Sequence, residues 1–588
     1  MLWHIGNTTV RTPYRLRSAL IALQASPLNG SIIGKPKELE FSELLHNSEI
    51  AVVKRYAEGK GEDYSDIGRK WRSALMQLGF ITPKLNNKTE SGDADPELLP
   101  VTDGVSGLSG RPYEITPNGY RLINADVIAG QQECFLRSLS AYQIPSPIEQ
   151  GYRCPPFSPL KFVIDILFEI KHQGGEAYIS FDEYALFIQT SSPDIGIPAI
   201  AATILDYRTR RAAHAGQMRK FDREELTRVI VAANPGIIAD KINTKGQTLD
   251  DYADLSLRYL KATGIFRSKG RGISIAPIKE ELTQLIHEAG DPALAPAEYL
   301  INLWNGAKLP TDDVPAAEKV VNDLIAKIRA KGKVVTPLTP GEDVSQKRHA
   351  LEEQLRHLDE EEYYHNQPAQ IDEILAWIDA LLQRPATFAG ERIVIPNAER
   401  PAYFEWAIWR AFLAINSLVN APWNARRFQI DQDFLPVGTA PGNGPDMVFE
   451  FPDAIIVVEV TFTSSSRQEA AEGEPVRRHV AKYAVEHKDT GKPVYGLFLA
   501  INIDSNTANT YRSGDWYMHD DSKLNLHIVP IRLDDFQKLL SAGKANLPGM
   551  RHVLKDIIKQ GRMDSHMDAP AWKKSISQHI EQTIRGLV

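Results

Sequence analysis

Two carboxylates in the C-terminal third of the chain lie in surroundings that suggest a metal site. Asp446 follows Gly444-Pro445 and opens an apolar segment, and Glu459 lies near the end of the next apolar segment. Side chains alternate along a strand, so Glu459 shares a face with β-branched residues and should be buried. A buried carboxylate is costly unless it is paired or bound to a cation. A hairpin would bring both carboxylates together as a cradle for a divalent metal, whose activated water can hydrolyse phosphodiesters.

Glu405 is a third carboxylate in apolar surroundings. On a helix it shares a stripe with Ile408, Trp409 and Phe412, at i+3, i+4 and i+7. A carboxylate in such a stripe needs a partner, and an Mg²⁺ held by Asp446 and Glu459 would provide one. Two alternatives stay open: Glu405 is placed by the dipole of its helix, and Asp446 is an ordinary turn residue.

The surrounding sequence predicts the elements that would position these carboxylates. A long helix is expected over 401–419, strands over 447–451, 454–461, 494–502 and 524–533, and a helix over 474–486. This order, a helix, a hairpin, a second helix and two further strands, predicts a mixed sheet in which some strands pair parallel. We expect these elements to form one α/β domain covering 395–588.

The N-terminal half carries three segments that look like winged helices. The first combines an amphipathic helix over 66–81 with a strand and capped helix over 110–123. The second has a helix over 160–172 and another that begins at Ser180, and the third has a helix over 250–263 followed by a glycine-rich hairpin over 265–275. Basic residues on these segments could contact phosphates, although solvated basic helices would have the same composition. The candidate DNA-binding residues are Arg69, Lys70, Arg72, Arg208, Arg210, Arg211, Arg219, Lys220, Arg267, Lys269 and Arg271.

The bulk composition is that of an ordinary globular protein. The chain has 588 residues, is 43% hydrophobic and carries a net charge of −8, so any nucleic-acid binding must rely on local basic surface. We expect winged-helix-like lobes over 1–150 and 151–290, and a helical linker over 291–394. Cys134 and Cys154 form no metal-ligand spacing. With no signal or membrane-spanning pattern, these features predict a cytoplasmic protein.

Several motifs carry a resemblance to a known family. The pattern P-D…E-x-T resembles that of PD-(D/E)xK nucleases, with Thr461 where lysine is usual. Phe404-Glu405-Trp406-x-x-Trp409, Gly442-Asn443-x-Pro445-Asp446-Met447, Glu459-Val460-Thr461 and Glu474-Pro475-Val476-x-Arg478-His479 are similar in order and spacing to the AlwI-type restriction endonucleases. That family includes type IIS and strand-nicking enzymes.

The resemblance implies a multidomain α+β protein with winged-helix-like recognition lobes, a helical linker and a PD-(D/E)xK-like cleavage domain. The catalytic acids would be Glu405, Asp446, Glu459 and Glu472, of which the first three would hold Mg²⁺. His479 and Lys482, together with Arg478, could hold the scissile phosphate or replace the missing lysine; the alternative is an exposed helix face.

The expected function is therefore a type IIS-like restriction endonuclease that acts on double-stranded DNA. One active site cuts one strand, so a second copy or a smaller subunit would be needed for double-strand cleavage, and a cognate methyltransferase is expected in the same system. Two other classes stay open: a DNA-binding regulatory protein with a non-cleaving nuclease-like domain, and a structure-specific or RNA-directed nuclease.

Overall fold

The computed structural model describes residues 2–53, 63–84, 110–147, 154–290, 294–337 and 343–587. The chain forms two compact units, Met1–Glu353 and Gln354–Val588. The domain boundaries expected after residues 150 and 290 fall within or beside stretches outside the described ranges. Of the expected linker, residues 354–394 belong to the second unit.

The first unit is mostly helical, with two small sheets. Its helices are α1 (Arg15–Gln24), α2 (Gly34–Asn47), α3 (Ser65–Gln77), α4 (Pro117–Ile123), α5 (Ile128–Ala141), α6 (Pro159–His172), α7 (Phe181–Glu183), α8 (Ile197–Ala212), α9 (Met218–Ala233), α10 (Ala239–Ala262), α11 (Glu280–Glu288), α12 (Pro296–Asn305), α13 (Val314–Ala330) and α14 (Val344–Asn366), the last of which crosses the unit boundary. Its strands are β1 (Ile81–Pro83), β2 (Tyr113–Ile115), β3 (Tyr178–Ile179), β4 (Phe266–Lys269) and β5 (Gly272–Ile275).

Local sequence signals explain how the first of these sheets forms. Gly79 has a φ of 71°, which a residue without a Cβ adopts readily. It lies two residues after the last residue of α3 and stops the helix before β1 begins. β1 and β2 then pair antiparallel. Thr116 caps the following helix, because its side chain accepts a hydrogen bond from the Gly119 backbone N–H.

The expected glycine-rich hairpin is present in the second sheet. β4 and β5 pair antiparallel, and β3 adds to the other side of β5, giving the order β3-β5-β4. Ile265, Phe266 and Ile273 are buried, whereas Arg267, Lys269 and Arg271 are exposed. The sheet therefore has an apolar inner face and presents its cations outward.

The second unit is built around one four-stranded sheet. Its strands and accessory hairpins are β6 (Thr387–Phe388), β7 (Glu391–Arg392), β8 (Met447–Phe451), β9 (Ala454–Thr461), β10 (Val494–Ala500), β11 (Asp515–Tyr517), β12 (Lys523–Asn525) and β13 (His527–Arg532). Its helices, after α14, are α15 (Ile371–Leu381), α16 (Arg400–Ile415), α17 (Pro422–Ala425), α18 (Arg467–Glu486), α19 (Ser505–Ser513), α20 (Leu533–Ala542), α21 (Met550–Met563) and α22 (Ala569–Leu587).

The central sheet has the order β13-β10-β9-β8. β8 and β9 form an antiparallel hairpin, while β10 pairs parallel with both β9 and β13. Every residue of β10 is buried, as expected of a central strand that is covered on both faces. The mixed sheet agrees with the arrangement expected from the sequence, and its β8–β9 hairpin matches the predicted strand limits.

Helix α16 forms much of the core beside this sheet. Pro401 lies in its first turn, and it ends at Ile415 because Asn416 adopts a left-handed φ of 64°. The predicted end at residue 419 was therefore too late. Phe412 stacks on Phe449 of β8 with ring centroids 4.2 Å apart. The helix also packs against residues that the sequence assigns to a linker. The ring centroids of Trp377 in α15 and Trp406 in α16 are 5.1 Å apart.

Helix α18 begins seven residues earlier than expected, at Arg467 rather than Glu474, and runs through Pro475. The buried Gln468 side chain holds this first turn in place. It donates hydrogen bonds to the carbonyls of Thr463 and Asn502 and accepts one from the Asp504 N–H at 2.8 Å. These tertiary contacts offset the cost of a proline inside the helix.

The described chain is thus a mixed α+β protein, as expected. No helix within the described ranges is long and apolar enough to cross a membrane.

Candidate active site

Asp446 and Glu459 meet at the end of the β8–β9 hairpin. The register that pairs Met447 with Val458 continues to place Asp446 opposite Glu459. The Asp446 N–H donates to Glu459 Oε2 at 3.3 Å, and the Val460 N–H donates to Asp446 Oδ2 at 2.8 Å. The hairpin therefore holds both acids within direct contact of one another.

Glu405 reaches the same place from α16. Its side chain is buried, and its Oε2 accepts a hydrogen bond from the Ala440 N–H at 2.7 Å. Burial raises the pKa of Glu405 well above its usual range, and the charge of Asp446 raises it further. The helix therefore directs Glu405 toward the same region as the hairpin acids.

The strand acids have the same electrostatic character. Burial raises the pKa of Asp446 well above its usual range, and the charge of Glu459 raises it further. Burial also raises the pKa of Glu459 to about 8, and the charge of Glu472 adds to this effect. Such groups ionise at neutral pH only with difficulty unless a positive charge is nearby.

Glu472 joins the cluster from α18. Burial raises its pKa, while a side-chain hydrogen bond with Thr461 opposes that shift. Thr461 lies at the end of β9, two residues after Glu459. The structure therefore places Glu472 beside Thr461 at the end of β9.

His479 lies seven residues beyond Glu472 on α18 and contacts Glu459 directly. A hydrogen bond of 2.6 Å joins His479 Nδ1 and Glu459 Oε1. The His479 Nε2 atom is buried and has no hydrogen-bond partner within the described structure. Burial lowers the pKa of His479, and the Arg478 guanidinium lowers it further. The imidazole is therefore positioned by Glu459 through one nitrogen, and its other nitrogen is available for a ligand.

Lys482 and Arg478, the two other basic residues of α18 that the sequence suggested for the site, do not join this group. Lys482 is 65% exposed, and its nearest described ion-pair partner is Glu486 at 3.9 Å. Arg478 pairs with Glu474 at 2.9 Å on the exposed side of the helix. Both therefore match the exposed-face alternative stated above.

The donor set of Glu405, Asp446 and Glu459 suits a hard divalent cation. All its ligand atoms are carboxylate oxygens, which Mg²⁺ prefers. A bound cation would also offset the burial, and the repulsion between carboxylates, that together raise all three pKa values. Among the described residues, no three His, Cys, Asp or Glu side chains already stand in metal-binding geometry. Side-chain rotations would therefore have to accompany cation binding.

Many cations expected to contact DNA are already paired inside the first unit. The pairs are Lys70–Asp66 (3.1 Å), Arg72–Glu38 (2.9 Å), Arg208–Glu183 (2.8 Å), Arg210–Glu225 (2.5 Å), Arg211–Asp222 (2.7 Å), Lys220–Glu224 (3.9 Å) and Lys269–Glu176. Phosphates would have to compete with these carboxylates, most strongly where the pair is buried.

Four of the expected DNA-contacting residues remain accessible. Arg69, Arg219, Arg267 and Arg271 are exposed and form no ion pair within the described ranges. Arg271 lies over the Phe181 ring at 4.1 Å, which orients its guanidinium at the hairpin tip.

One cation near the acids was not found from the sequence. Arg427 follows α17 and donates its backbone N–H to the Asp446 carbonyl at 3.2 Å. No spacing rule links it to the acidic motifs, because the contact depends on an irregular segment that folds back along β8.

Comparison with known proteins identifies the class of the chain. A family model for restriction endonucleases matches residues 76–539, which include every carboxylate of the cluster. The chain is therefore a restriction-type DNA endonuclease. The model is that of the AlwI restriction endonuclease, and the chain belongs to this family, as the motifs indicated.

Two solved structures share partial likeness with the chain. One is the small subunit (R.BspD6I2) of the heterodimeric restriction endonuclease R.BspD6I, with 24% identity over 36% of this chain and 98% of that chain, at a TM-score of 0.28. The other is the BpuJ1 endonuclease binding domain in complex with pyrene- and phenanthrene-modified DNA. It has 10% identity over 50% of this chain and 90% of that chain, and its TM-score is also 0.28. A search of curated protein sequences gave no match.

Proposed function

We propose that the chain is a Mg²⁺-dependent, sequence-specific endonuclease of type IIS character. It recognises a short asymmetric site in double-stranded DNA and hydrolyses a phosphodiester a few bases away. The observation that carries this proposal is the buried cluster of Glu405, Asp446 and Glu459, which the β8–β9 hairpin and the core helix α16 position. A DNA-binding protein without cleavage would gain nothing from three mutually repelling buried acids.

Each residue of the cluster has a role that follows from its position. Asp446, Glu459 and Glu405 hold the cation, and Glu472 adjusts the charge around Glu459. Bound Mg²⁺ supplies a water of lowered pKa and neutralises charge on the scissile phosphate. His479 keeps Glu459 oriented through Nδ1, and its Nε2 can exchange a proton with a water or phosphate oxygen.

The first unit would provide recognition through winged-helix-like lobes. The exposed Arg267 and Arg271 on the β4–β5 hairpin are placed to contact phosphates, as a wing does. The described chain carries one acidic cluster of this kind, so one chain cuts one strand. A second copy or a smaller subunit would cut the other strand, and a cognate methyltransferase would protect the host DNA.

A plasmid assay tests the proposal directly. Supercoiled DNA is incubated with the protein in Mg²⁺ or EDTA, and the products are mapped on native and denaturing gels. We expect discrete Mg²⁺-dependent products, either nicked circles or linear fragments. Glu459→Gln should abolish cutting while DNA binding in EDTA is retained, whereas Glu486→Gln, an exposed acid on the same helix, should cut normally.

Two outcomes would contradict the proposal. Intact plasmid that is nonetheless bound, across several DNA sequences and metals, would favour the non-cleaving regulatory protein. Cutting at hairpins or junctions without a preferred sequence would instead indicate a structure-specific nuclease. Unchanged Mg²⁺-dependent cutting by the Glu459→Gln variant would refute the assigned acids even if the protein is a nuclease.

A further inference from the structure

Thr461 cannot supply the positive charge that a motif lysine would bring. Its hydroxyl accepts a hydrogen bond from the Thr463 N–H at 3.2 Å and also bonds the Glu472 side chain. The cations of α18 do not compensate, since Arg478 is paired with Glu474 and Arg477 donates to the Asp515 carbonyl. Arg467 and Lys482 are exposed. A phosphate at the cluster would therefore need a cation from another element.

Arg427 is that cation on geometric grounds. An isolated antiparallel bridge pairs Arg426 with Met447, so the next residue, Arg427, lies beside Asp446. Its backbone N–H donates to the Asp446 carbonyl and its guanidinium donates to the Pro445 carbonyl, both at 3.2 Å. The side chain is thus held against the loop that carries the first metal-binding acid.

Gly444 leaves the space that this guanidinium occupies. A Cβ added at Gly444 would lie 2.4 Å from Arg427 Nη1 and 2.9 Å from Arg427 Cζ, well inside contact distance. The glycine of the Gly444-Pro445-Asp446 motif therefore permits a close approach of the arginine to the backbone. This requirement is separate from any need for an unusual turn.

The neighbouring arginine has a different environment. Arg426 makes two hydrogen bonds of 2.8 Å to Glu360, a fully buried acid, and so serves the fold. Arg427 is only half-buried and forms no ion pair with any described residue. Its guanidinium uses one hydrogen bond to a carbonyl and keeps other N–H groups for an anion.

Resting on the proposed nuclease function, we propose that Arg427 contacts the scissile phosphate in the place of the motif lysine, and that Gly444 positions it. The planar guanidinium suits two phosphate oxygens at once and stays charged beside the cluster. Burial raises the pKa values of Glu405 and Glu459, and the charge of Arg427 opposes that rise in part, which agrees with a location near the acids.

The first test compares variants on a duplex that carries the cleavage site mapped with the wild-type protein. Arg427→Gln should slow single-turnover cutting in Mg²⁺ about 100-fold, because one positioned donor to a transition-state charge has that order of effect. Arg427→Lys should recover about tenfold of this loss. Arg512→Gln, which removes a half-buried arginine that also donates to a backbone carbonyl, is the matched control and should cut at the wild-type rate.

A binding measurement in EDTA separates phosphate contact from a structural role. Replacing the scissile phosphate by an uncharged methylphosphonate should weaken wild-type binding about threefold to tenfold, as the loss of one charged contact does. The same replacement should leave the affinity of Arg427→Gln unchanged. Gly444→Ala should cut as slowly as Arg427→Gln, and combining the two changes should add no further loss.

The outcomes separate this assignment from the nuclease proposal. If wild-type protein cuts no DNA, the proposed function fails and this assignment fails with it. If wild-type protein cuts and folded Arg427→Gln cuts within threefold of its rate, only the role of Arg427 is wrong. Equal sensitivity of both proteins to the methylphosphonate would likewise overturn it, even if the variant were slow because its fold is disturbed.

Discussion

Removing all divalent cation and raising the pH should destabilise the second unit through Glu459. The pKa of this buried carboxyl is raised to about 8, against about 4.3 for an ordinary glutamic acid. Because the folded protein binds this proton more tightly than the unfolded chain, the carboxyl stabilises the fold at low pH. That contribution disappears as the pH rises through about 8. Between pH 6 and pH 9 the loss amounts to about 3 kcal/mol in the free energy of unfolding.

Glu459→Gln isolates this effect, because the amide keeps the shape of the side chain but does not titrate. The assay is urea-dependent hydrogen exchange of the full chain in EDTA, followed on peptides from β8, β9 and β10. The variant should lose about 3 kcal/mol less stability than wild type between pH 6 and pH 9. Glu486→Gln, at an exposed site, should retain the wild-type pH dependence.

A divalent cation should reduce the same pH dependence. Ca²⁺ at millimolar concentration favours the ionised acids, so it should raise the stability of wild type more at pH 9 than at pH 6. Two results would refute this reasoning. One is an identical pH dependence in wild type and Glu459→Gln, and the other is a wild-type stability that rises from pH 6 to pH 9 without cation.

Three further predictions follow from the positions of the basic residues. Lys482→Gln should cut DNA within threefold of the wild-type rate, since its ammonium lies on the exposed face of α18; a loss of 100-fold would contradict this. Arg208→Ala should destabilise the first unit by about 3 kcal/mol in urea unfolding, because it leaves Glu183 buried without its partner. Replacing Arg267 and Arg271 by Gln should weaken DNA binding on all sequences and reduce the slope of log affinity against log salt by about 2; an unchanged slope would exclude both phosphate contacts.

The hairpin of the candidate site could be predicted because its sequence signals are local. Continuous apolar runs interrupted at 452–453 define β8 and β9 with their observed limits. An antiparallel hairpin then leaves one register in which Asp446 meets Glu459, and the structure has this register. Glu459 is the single carboxylate of the β9 run, and its position is informative because a carboxylate buried among apolar strand residues is costly unless it is paired or bound to a cation.

The basic segments were harder to interpret because their partners are distant in sequence. Arg208 meets Glu183, and Arg211 meets Asp222, through tertiary packing that no spacing rule gives. A run of cations therefore predicts positive charge along the chain but not free charge at the surface. Arg427 illustrates the opposite case, since an arginine in an irregular segment lies beside Asp446 without any motif.

The early start of α18 is what unites Glu472 with the remaining acids. A helix beginning at Glu474, as expected from the sequence, would leave Glu472 in a loop whose direction the sequence does not fix. With the helix beginning at Arg467, Glu472 and His479 are seven positions apart on one helix. Seven residues make nearly two turns at about 3.6 residues per turn, so both side chains lie on the same face. On that face Glu472 contacts Thr461 and His479 contacts Glu459. Thr461 and Glu459 are two residues apart in β9, so their side chains lie on the same side of the strand. The register between one helix and one strand therefore fixes both contacts together, and a shift of either element by one residue would break both.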